Sequence, residues 1–198
     1  MSIVAACVVP HPPLLIPGVG DPEKQQVLAT KKAYEQVGSF LAELMPQTIV
    51  LFSPHATMLH DYFHISPGKG AQGCFDQFGT RGAEQRYQAD YDTEFAQTLA
   101  ALAQDKGIPA GGLRERMPQL DHGTMVPWHF IAPCLREPAL LVRVGLSGRG
   151  VEDHFAFGAC VANTAEALCR RTVVVASGDL SHRLTREGPY GYAEQGPQ

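Results

Sequence analysis

The chain has 198 residues, of which 44% are hydrophobic and 18% are charged, and its formal net charge is −4 at pH 7. This length fits one domain or most of one, and the composition excludes an intrinsically disordered chain. No basic stripe favours binding to nucleic acid or to an anionic membrane, and the apolar runs are too short to span a bilayer. The N-terminus has no basic segment ahead of an apolar one, so a cytoplasmic location is expected.

The first part of the chain alternates strand and helix patterns. Residues 3–9 form a continuous apolar run that ends at a proline, which predicts a strand buried on both faces. Asp21 and Pro22 supply a helix N-cap and a first-turn proline, and apolar residues at helical spacing continue to Pro46. Residues 48–52 predict a second buried strand. A strand–helix–strand order of this length implies a parallel pair.

The same alternation resumes after an irregular stretch. Residues 61–90 are rich in glycine, glutamine and aromatic residues without a firm period, and we expect one short strand there, at 62–65. The pattern predicts an α/β fold with a central, largely parallel sheet flanked by helices. The remaining predicted elements are helices at about 91–105 and 151–170 and strands at 140–144 and 172–176.

Three histidines follow predicted strands. His11 comes two residues after the first strand, His55 three residues after the second, and His182 a short loop after the last. Because ligands bind at the carboxyl ends of parallel strands, these side chains can converge although they are distant in sequence. The alternative is three unrelated surface histidines, and the residues alone leave the two interpretations about even. Prolines directly before His11 and His55 stiffen the backbone that presents each ring.

Two histidines, His122 and His182, have an aspartate close by in the sequence. His122 follows Asp121, which indicates either a catalytic histidine or a turn whose aspartate caps the next helix. Asp179 precedes His182 by three residues and is placed to orient its ring. The other four histidines lie in extended or helical patterns and are expected to serve packing or the surface; they are His60, His64, His129 and His154.

Six segments occur in an order that is specific to one enzyme superfamily. They are VVPHPPLLIPGVG (8–20), LFSPHATM (51–58), DYFHISPGKG (61–70), LDHGTMVPWHFI (120–131), VRVGLSG (142–148) and ASGDLSHRL (176–184). Together they resemble the LigB-type class III extradiol ring-cleavage dioxygenases, and they are most similar to the Memo-related LigB-like domain of the AmmeMemoRadiSam system. The resemblance implies a single LigB-like catalytic domain over residues 1–198, with a fused or associated second domain as a further expectation.

The resemblance also implies a role for each histidine. His11 and His55 would bind non-haem Fe(II) together with a later glutamate, which leaves coordination positions open for a catechol-like substrate and O₂. Zinc would be a substitute in purified protein. His122 would contact the substrate or oxygen, and His182 would be the general base that takes a phenolic proton.

The match lacks the glutamate, which in the family lies well beyond the segment of His182. Glu187 and Glu194 have a different context and are not assigned to this role. We therefore expect the chain to lack its C-terminal portion. The implied function is extradiol cleavage of a small phenolic substrate. Assembly of the chain into a homo-oligomer is a further expectation. The alternative is a Memo-like, non-dioxygenase metal-binding module that works with a radical-SAM partner system.

Overall fold

The computed structural model describes residues 2–20, 25–78, 86–188 and 190–196. Strands and helices alternate along most of this part of the chain. Their bounds are β1 (Ile3–Val9), α1 (Gln25–Leu44), β2 (Thr48–Ser53), β3 (Phe63–His64), β4 (Gly70–Gly73), β5 (Tyr87–Asp90), α2 (Thr93–Asp105), β6 (Ala110–Gly111), α3 (His122–Ile131), β7 (Leu140–Gly145), α4 (Val151–Ala167) and β8 (Thr172–Ser177).

The central sheet has the strand order β1-β8-β2-β7, and each neighbouring pair is parallel. The register pairs Val9 with Ser177 and Phe52 with Ala176, so the carboxyl ends of β1, β8 and β2 lie at one edge. The last strand in sequence therefore sits between the first two. Chain segments that follow β1, β2 and β8 emerge side by side.

Helices cover both faces of the sheet because the side chains of the strands alternate in direction. Ile49 and Leu51 of β2 belong to the core under α1 and α3, whereas Val50 belongs to the core under α2 and α4. Leu41 and Phe157 are fully buried on the two opposite sides. Burial of each such side chain stabilises the fold by about 1.5–3 kcal/mol. The helices packed on the two faces therefore fix the position of the sheet and of its carboxyl edge.

The predicted α/β fold with a flanked, parallel sheet is confirmed. The main strands match their predicted bounds to within one residue. The expectation that β1 is buried on both faces is wrong, because β1 is an edge strand of the sheet: only its last residue, Val9, is buried, and Val8 is 67% exposed. Helix α2 begins at Thr93, two residues later than predicted, because the Asp92 carboxylate caps it by accepting from the Phe95 N–H at 3.0 Å. Helix α4 ends at Ala167, short of the predicted 170. Asp21 and Pro22 lie outside the described residues.

The stretch at 61–90 contains more order than the sequence indicated. The predicted short strand is present as β3, which pairs in parallel with β6, and β4 pairs with β5 in an antiparallel register. The sequence of β4, GAQG, has no β-branched or aromatic residue, so pairing with β5 rather than local propensity makes it a strand. Within the described ranges, no helix combines the length and apolar character needed to cross a membrane.

Candidate metal centre

Three imidazole rings meet at the carboxyl edge of the sheet. His11 follows β1, His55 follows β2, and His122 is the first residue of α3. Ring centroids lie 4.9 Å apart for His11 and His55, 5.4 Å for His11 and His122, and 3.9 Å for His55 and His122. One nitrogen from each ring can be chosen so that all three lie within 4.8 Å of one another. The three side chains therefore face a common point.

The hydrogen bonds of His11 determine which of its nitrogens carries the proton. Its Nδ1 lies 2.8 Å from the Ser177 hydroxyl, and that hydroxyl donates its own hydrogen to the Gly123 carbonyl at 2.5 Å. Since a hydroxyl has one hydrogen, His11 must donate from Nδ1 to Ser177. The neutral ring then has a lone pair on Nε2, the atom that faces His55. This is the tautomer that a metal ligand needs.

A proline in α3 explains why the Gly123 carbonyl is available to Ser177. In a regular helix this carbonyl would accept from the N–H of the residue four positions later, which is Pro127. Proline has no N–H, so the carbonyl is left without its helical donor. Ser177, the last residue of β8, supplies the missing hydrogen bond. The break in the helix ladder thus links α3 to β8 and, through Ser177, to His11.

Asp121 ties the loop of His55 to the start of α3. Its Oδ1 accepts from the Ser53 hydroxyl at 2.5 Å and from the Thr124 N–H at 3.0 Å, and its Oδ2 accepts from the Thr124 hydroxyl at 2.9 Å. The Ser53 hydroxyl also accepts from the His55 N–H at 3.2 Å. The aspartate is therefore the helix cap that the sequence allowed, and it places His122 beside His55.

Gly123 allows these two segments to approach closely. A Cβ at this position would lie 2.5 Å from the Ser53 hydroxyl oxygen and 3.2 Å from Cδ2 of the His55 ring. Any larger residue would displace one of the two side chains. The glycine of the LDHG segment is thus required by the packing of the cluster.

His182 lies outside the cluster of three rings and is connected to it by Asp179. Its Nε2 is 2.9 Å from Oδ2 of Asp179, and the same oxygen is 3.8 Å from Nε2 of His11. The side chain of His182 is 57% exposed, and its ring stacks on Tyr190 with a centroid distance of 5.0 Å. The structure brings Asp179 to His182, in the orienting position that the spacing predicts.

The electrostatics of the site favour the neutral form of His11 and His122. Burial lowers the pKa of His11, although the neighbouring Asp179 carboxylate acts in the opposite direction. Burial and, to a smaller extent, the proximity of His55 and His11 lower the pKa of His122 to about 4. Both rings are therefore uncharged at neutral pH, and their lone pairs are free to bind a cation.

A cleft of about 690 Å³ opens from His55 and His122. The ring of Phe78 meets the ring of His122 edge to face at a centroid distance of 5.4 Å. The volume is in the range of small-molecule sites, and it is large enough for a compound with a single aromatic ring. The other lining residues are Cys74, Asp76, Met117, Gln119, Leu120 and Asp121.

A fully buried arginine, which was not among the residues predicted from the sequence, supports one wall of this cleft. Arg143 of β7 donates from Nη1 to the Gln119 carbonyl at 2.5 Å and from Nη2 to the Met117 carbonyl. Its Nη1 also lies 3.6 Å from Oδ2 of Asp121, and its Nη2 lies 3.5 Å from Oε2 of Glu115. An arginine inside the apolar strand LLVRV was the signal, because a buried charge requires partners.

The four other histidines do not join the three rings in the described part of the chain. His129 is paired with the Tyr87 hydroxyl at 3.0 Å, and His154 with the Gly150 carbonyl at 2.9 Å. His64 is fully buried in β3, and His60 is exposed.

The donor set fits a divalent transition metal. Neutral imidazoles suit iron, zinc, copper and nickel, and Nε2 of His11 lies 3.1 Å from Nε2 of His55. Two nitrogens bound to one ion at about 2.0–2.1 Å, with an angle of roughly 90–110°, are separated by roughly 2.9–3.4 Å. The observed separation, which is also that of an N–H···N hydrogen bond, fits a shared ion without movement of either ring.

Comparisons with known proteins show the family of the chain. The LigB family model, described as the catalytic LigB subunit of aromatic ring-opening dioxygenase, matches residues 5–197. A protein of Clostridium acetobutylicum is 32% identical over 203 residues, which cover 99% of this chain and 43% of that protein. A 2,3-dihydroxyphenylpropionate/2,3-dihydroxicinnamic acid 1,2-dioxygenase of a Rhodococcus species is 29% identical over 186 residues, covering 90% of this chain and 56% of the relative.

A third relative is the 2-aminophenol 1,6-dioxygenase beta subunit of a Pseudomonas species. It is 22% identical over 201 residues, which cover 95% of this chain and 65% of the relative. The chain thus spans 43–65% of the length of these three relatives. With a family model that matches nearly every residue and a fold of the expected kind, the chain belongs to the LigB family of aromatic ring-opening dioxygenases.

Proposed function

We propose that the chain binds a non-haem Fe(II) ion through His11 and His55 and takes part in the extradiol opening of a catechol-like ring by O₂. At the level of the family, the chain is a dioxygenase-like oxidoreductase. The observation that carries the proposal is the convergence of His11, His55 and His122 at one edge of the sheet, with their nitrogens within 4.8 Å of one another. When bound, Fe(II) would supply Lewis acidity and open coordination positions.

His182 is the proposed general base. A neutral histidine takes a phenolic proton efficiently near neutral pH, and the resulting imidazolium is stabilised by a carboxylate. Asp179 holds Nε2 of His182 at 2.9 Å, which leaves Nδ1 of His182 to receive the proton. The same carboxylate lies 3.8 Å from Nε2 of His11, so the base is held next to the metal-binding edge.

The cleft supports a small aromatic substrate. Phe78 offers a ring edge or face for stacking, and His122 and His55 line the same space. Two relatives are named for 2,3-dihydroxyphenylpropionate and for 2-aminophenol, and both compounds are aromatic rings with two adjacent polar groups. We infer the same substrate class for this chain, with the ring against Phe78 and its polar groups toward the histidines.

The partners of the chain are part of the proposal. Because the relatives are longer than the chain, we keep the expectations of a further C-terminal portion carrying a glutamate ligand and of a fused or associated second domain. The Pseudomonas relative is named as a beta subunit, which supports a multi-subunit assembly as a hypothesis. Membership of the AmmeMemoRadiSam branch and a cytoplasmic location also stay predictions.

The experiment compares His182→Ala with the unaltered protein, each extended by the C-terminal portion that is expected to carry the glutamate ligand and each loaded with Fe(II) without oxygen. We expect oxygen consumption with a panel of catechols in the unaltered extended protein. The variant should retain Fe(II) and lose most turnover, about 10²–10⁴-fold, because the loss of a general base has that effect. His154→Ala, which lies outside the cluster, is the matched control.

Two outcomes would contradict the proposal. One is an extended protein that holds Fe(II) but consumes no oxygen with any catechol. The other is a His182→Ala protein with the same turnover as the control, which would remove the assigned base.

A Memo-like, non-dioxygenase metal-binding module is the second candidate. The exposure of His182 favours this alternative. Its side chain is 57% exposed, so water has access to the place where a proton would be transferred. Two results together would favour this alternative: the chain binds metal without consuming oxygen, and a pull-down with the chain recovers a radical-SAM protein.

A further inference from the structure

We propose that Met117 is a specificity-determining residue of the cleft, and that it selects catechol-like rings with an apolar substituent over rings with a carboxylate. The inference rests on the proposed function for the catechol-like ring and goes further by naming the substituent. Met117 belongs to residues 115–120, the wall segment, from which Met117, Gln119 and Leu120 line the cleft.

The backbone of Met117 is held from both sides. Its N–H donates to Oε1 of Glu115 at 2.7 Å and to the hydroxyl oxygen of Thr57 at 3.2 Å. Its carbonyl accepts from Nη2 of Arg143. Because its donor and its acceptor are both engaged, the main chain at this position has little freedom to move away when a ligand enters the cleft.

The hydroxyl of Thr57 is fully engaged by the wall segment. It donates to Oε1 of Glu115 at 2.6 Å and accepts from the N–H groups of Arg116, at 3.0 Å, and of Met117. A hydroxyl has one hydrogen and two lone pairs, so these three contacts use its whole capacity. Since Thr57 follows His55 by two residues, the hydroxyl joins the loop of His55 to the wall segment.

Two sequence segments that supply none of the three clustered rings complete this support. DYFHISPGKG (61–70) contributes Ser66, and VRVGLSG (142–148) contributes Arg143. The Ser66 hydroxyl oxygen accepts from Nε of Arg143 at 2.7 Å, and the other two guanidinium nitrogens donate to carbonyls of the wall segment. The arginine is fully buried, so its charge fixes the wall and is not presented to a ligand in the cleft.

The side chain of Met117 is free to contact a ligand, in contrast to its backbone. It is 44% exposed and lines the cleft together with Phe78, which is 38% exposed. Apolar side chains that stay open to water on a fixed backbone offer surface that an apolar group buries when it binds. Methionine suits this role, because its unbranched and polarizable side chain adapts to the shape of the bound group.

The charges around the cleft disfavour a carboxylate on the ring. Asp76 and Asp121 are lining residues, and among the described residues neither a lysine nor an arginine lines the cleft. A carboxylate that enters would lose hydration without gaining a cationic partner, and it would face the acidic side chain of Asp76. A methyl group has no such cost, so the lining favours an apolar substituent.

The test measures the binding of matched catechols to the 198-residue chain by titration calorimetry, with Zn²⁺ and without oxygen. The probes are 3- and 4-methylcatechol and the corresponding carboxylates, 2,3- and 3,4-dihydroxybenzoate, so that each pair differs in one substituent. We expect the tighter-binding methylcatechol to exceed the tighter-binding dihydroxybenzoate in affinity by about 10-fold or more, a discrimination that one substituent gives in an apolar pocket.

Variants of Met117 separate the effect of its side chain from other effects. Met117→Ala should weaken binding of the preferred methylcatechol by about 5–10-fold, and Met117→Leu should retain it. Met117→Lys should strengthen binding of the dihydroxybenzoates by about 10-fold, because its ammonium group would pair with their carboxylate. The matched control is Met45→Ala, since Met45 is 49% exposed and precedes β2, at the opposite edge of the sheet.

Three results would overturn the inference. Tighter binding of a dihydroxybenzoate by the unaltered chain would point instead to Arg86, which lines an adjoining groove of about 460 Å³ that shares Cys74 and Gln119 with the cleft. Equal effects of Met117→Ala and Met45→Ala would remove Met117 as the selecting residue. The third result is a chain that binds none of the probes. These measurements need no turnover, so oxygen consumption by the extended protein still decides the proposed function separately.

Discussion

The ring of His11 presents its Nε2 lone pair because Ser177 accepts a hydrogen from Nδ1. Metal affinity depends on such second partners, since they fix both the tautomer and the orientation of the ligand. In this chain the partner is placed by a helix defect, because Pro127 leaves the Gly123 carbonyl to accept from Ser177. One proline in α3 therefore acts on the proposed metal ligand His11, which follows a different element, β1.

Ser177→Ala tests this arrangement. The variant removes the acceptor for the His11 Nδ1–H and leaves the Gly123 carbonyl without its donor. We expect a fall of about 10–100-fold in Zn²⁺ affinity, measured by competition with a chelating dye. Ser39→Ala removes a helix-surface serine hydroxyl that bonds to Glu35 and serves as the control. Equal affinities in the two variants would show that Ser177 does not position His11.

The sequence alone predicted the residues of the site better than it predicted their hydrogen-bond partners. His11 and His55 were singled out because each follows a buried strand, a purely local feature. Ser177 could not be found in the same way, because its hydrogen bond to His11 joins residues 166 positions apart. Asp121 was left between two interpretations, and its contacts show it to be a helix cap.

Strand β7 contains the main departure from a simple apolar element. Its Arg143 is fully buried and holds the carbonyls of Met117 and Gln119, while Glu115 and Asp121 balance its charge. The strand thereby connects the core to the cleft wall and to the cap of α3. An apolar residue would satisfy the strand but leave two carboxylates without their cation.

Arg143→Met should therefore destabilise the protein. Breaking a buried ion pair from one side costs about 3–5 kcal/mol, because the remaining charges stay buried. Urea unfolding followed by circular dichroism measures the change in the free energy of unfolding. Arg149→Met removes a partly exposed partner of Asp153 and should cost no more than about 1 kcal/mol. Comparable losses in both variants would refute the role assigned to Arg143.

The elements themselves were predictable where burial alone determined them. Apolar runs predicted all four strands of the central sheet, although only β2, β7 and β8 are mostly buried and β1 is an edge strand that is largely not buried. The β4–β5 pair was missed because GAQG becomes a strand only through its partner. Helix α3 was not delimited in advance, since its interior proline conflicts with helix propensity.

The order of strands in the sheet assembles the site from distant parts of the molecule. Because β8 pairs with both β1 and β2, the loops after all three strands share one edge. Sequence patterns indicated a parallel sheet but not this order, which depends on how the helices pack on each face. The chain covers 43–65% of the length of the three relatives, so the rest of their length adds to this edge or lies elsewhere.

Anomalous diffraction from crystals of the chain grown with Co²⁺ tests most directly whether this edge is a metal site. We predict one strong peak bonded to Nε2 of His11 and to a ring nitrogen of His55, at about 2.0–2.2 Å from each. A peak located only at other residues, or none at the edge under saturating Co²⁺, would contradict the assignment of these histidines as ligands.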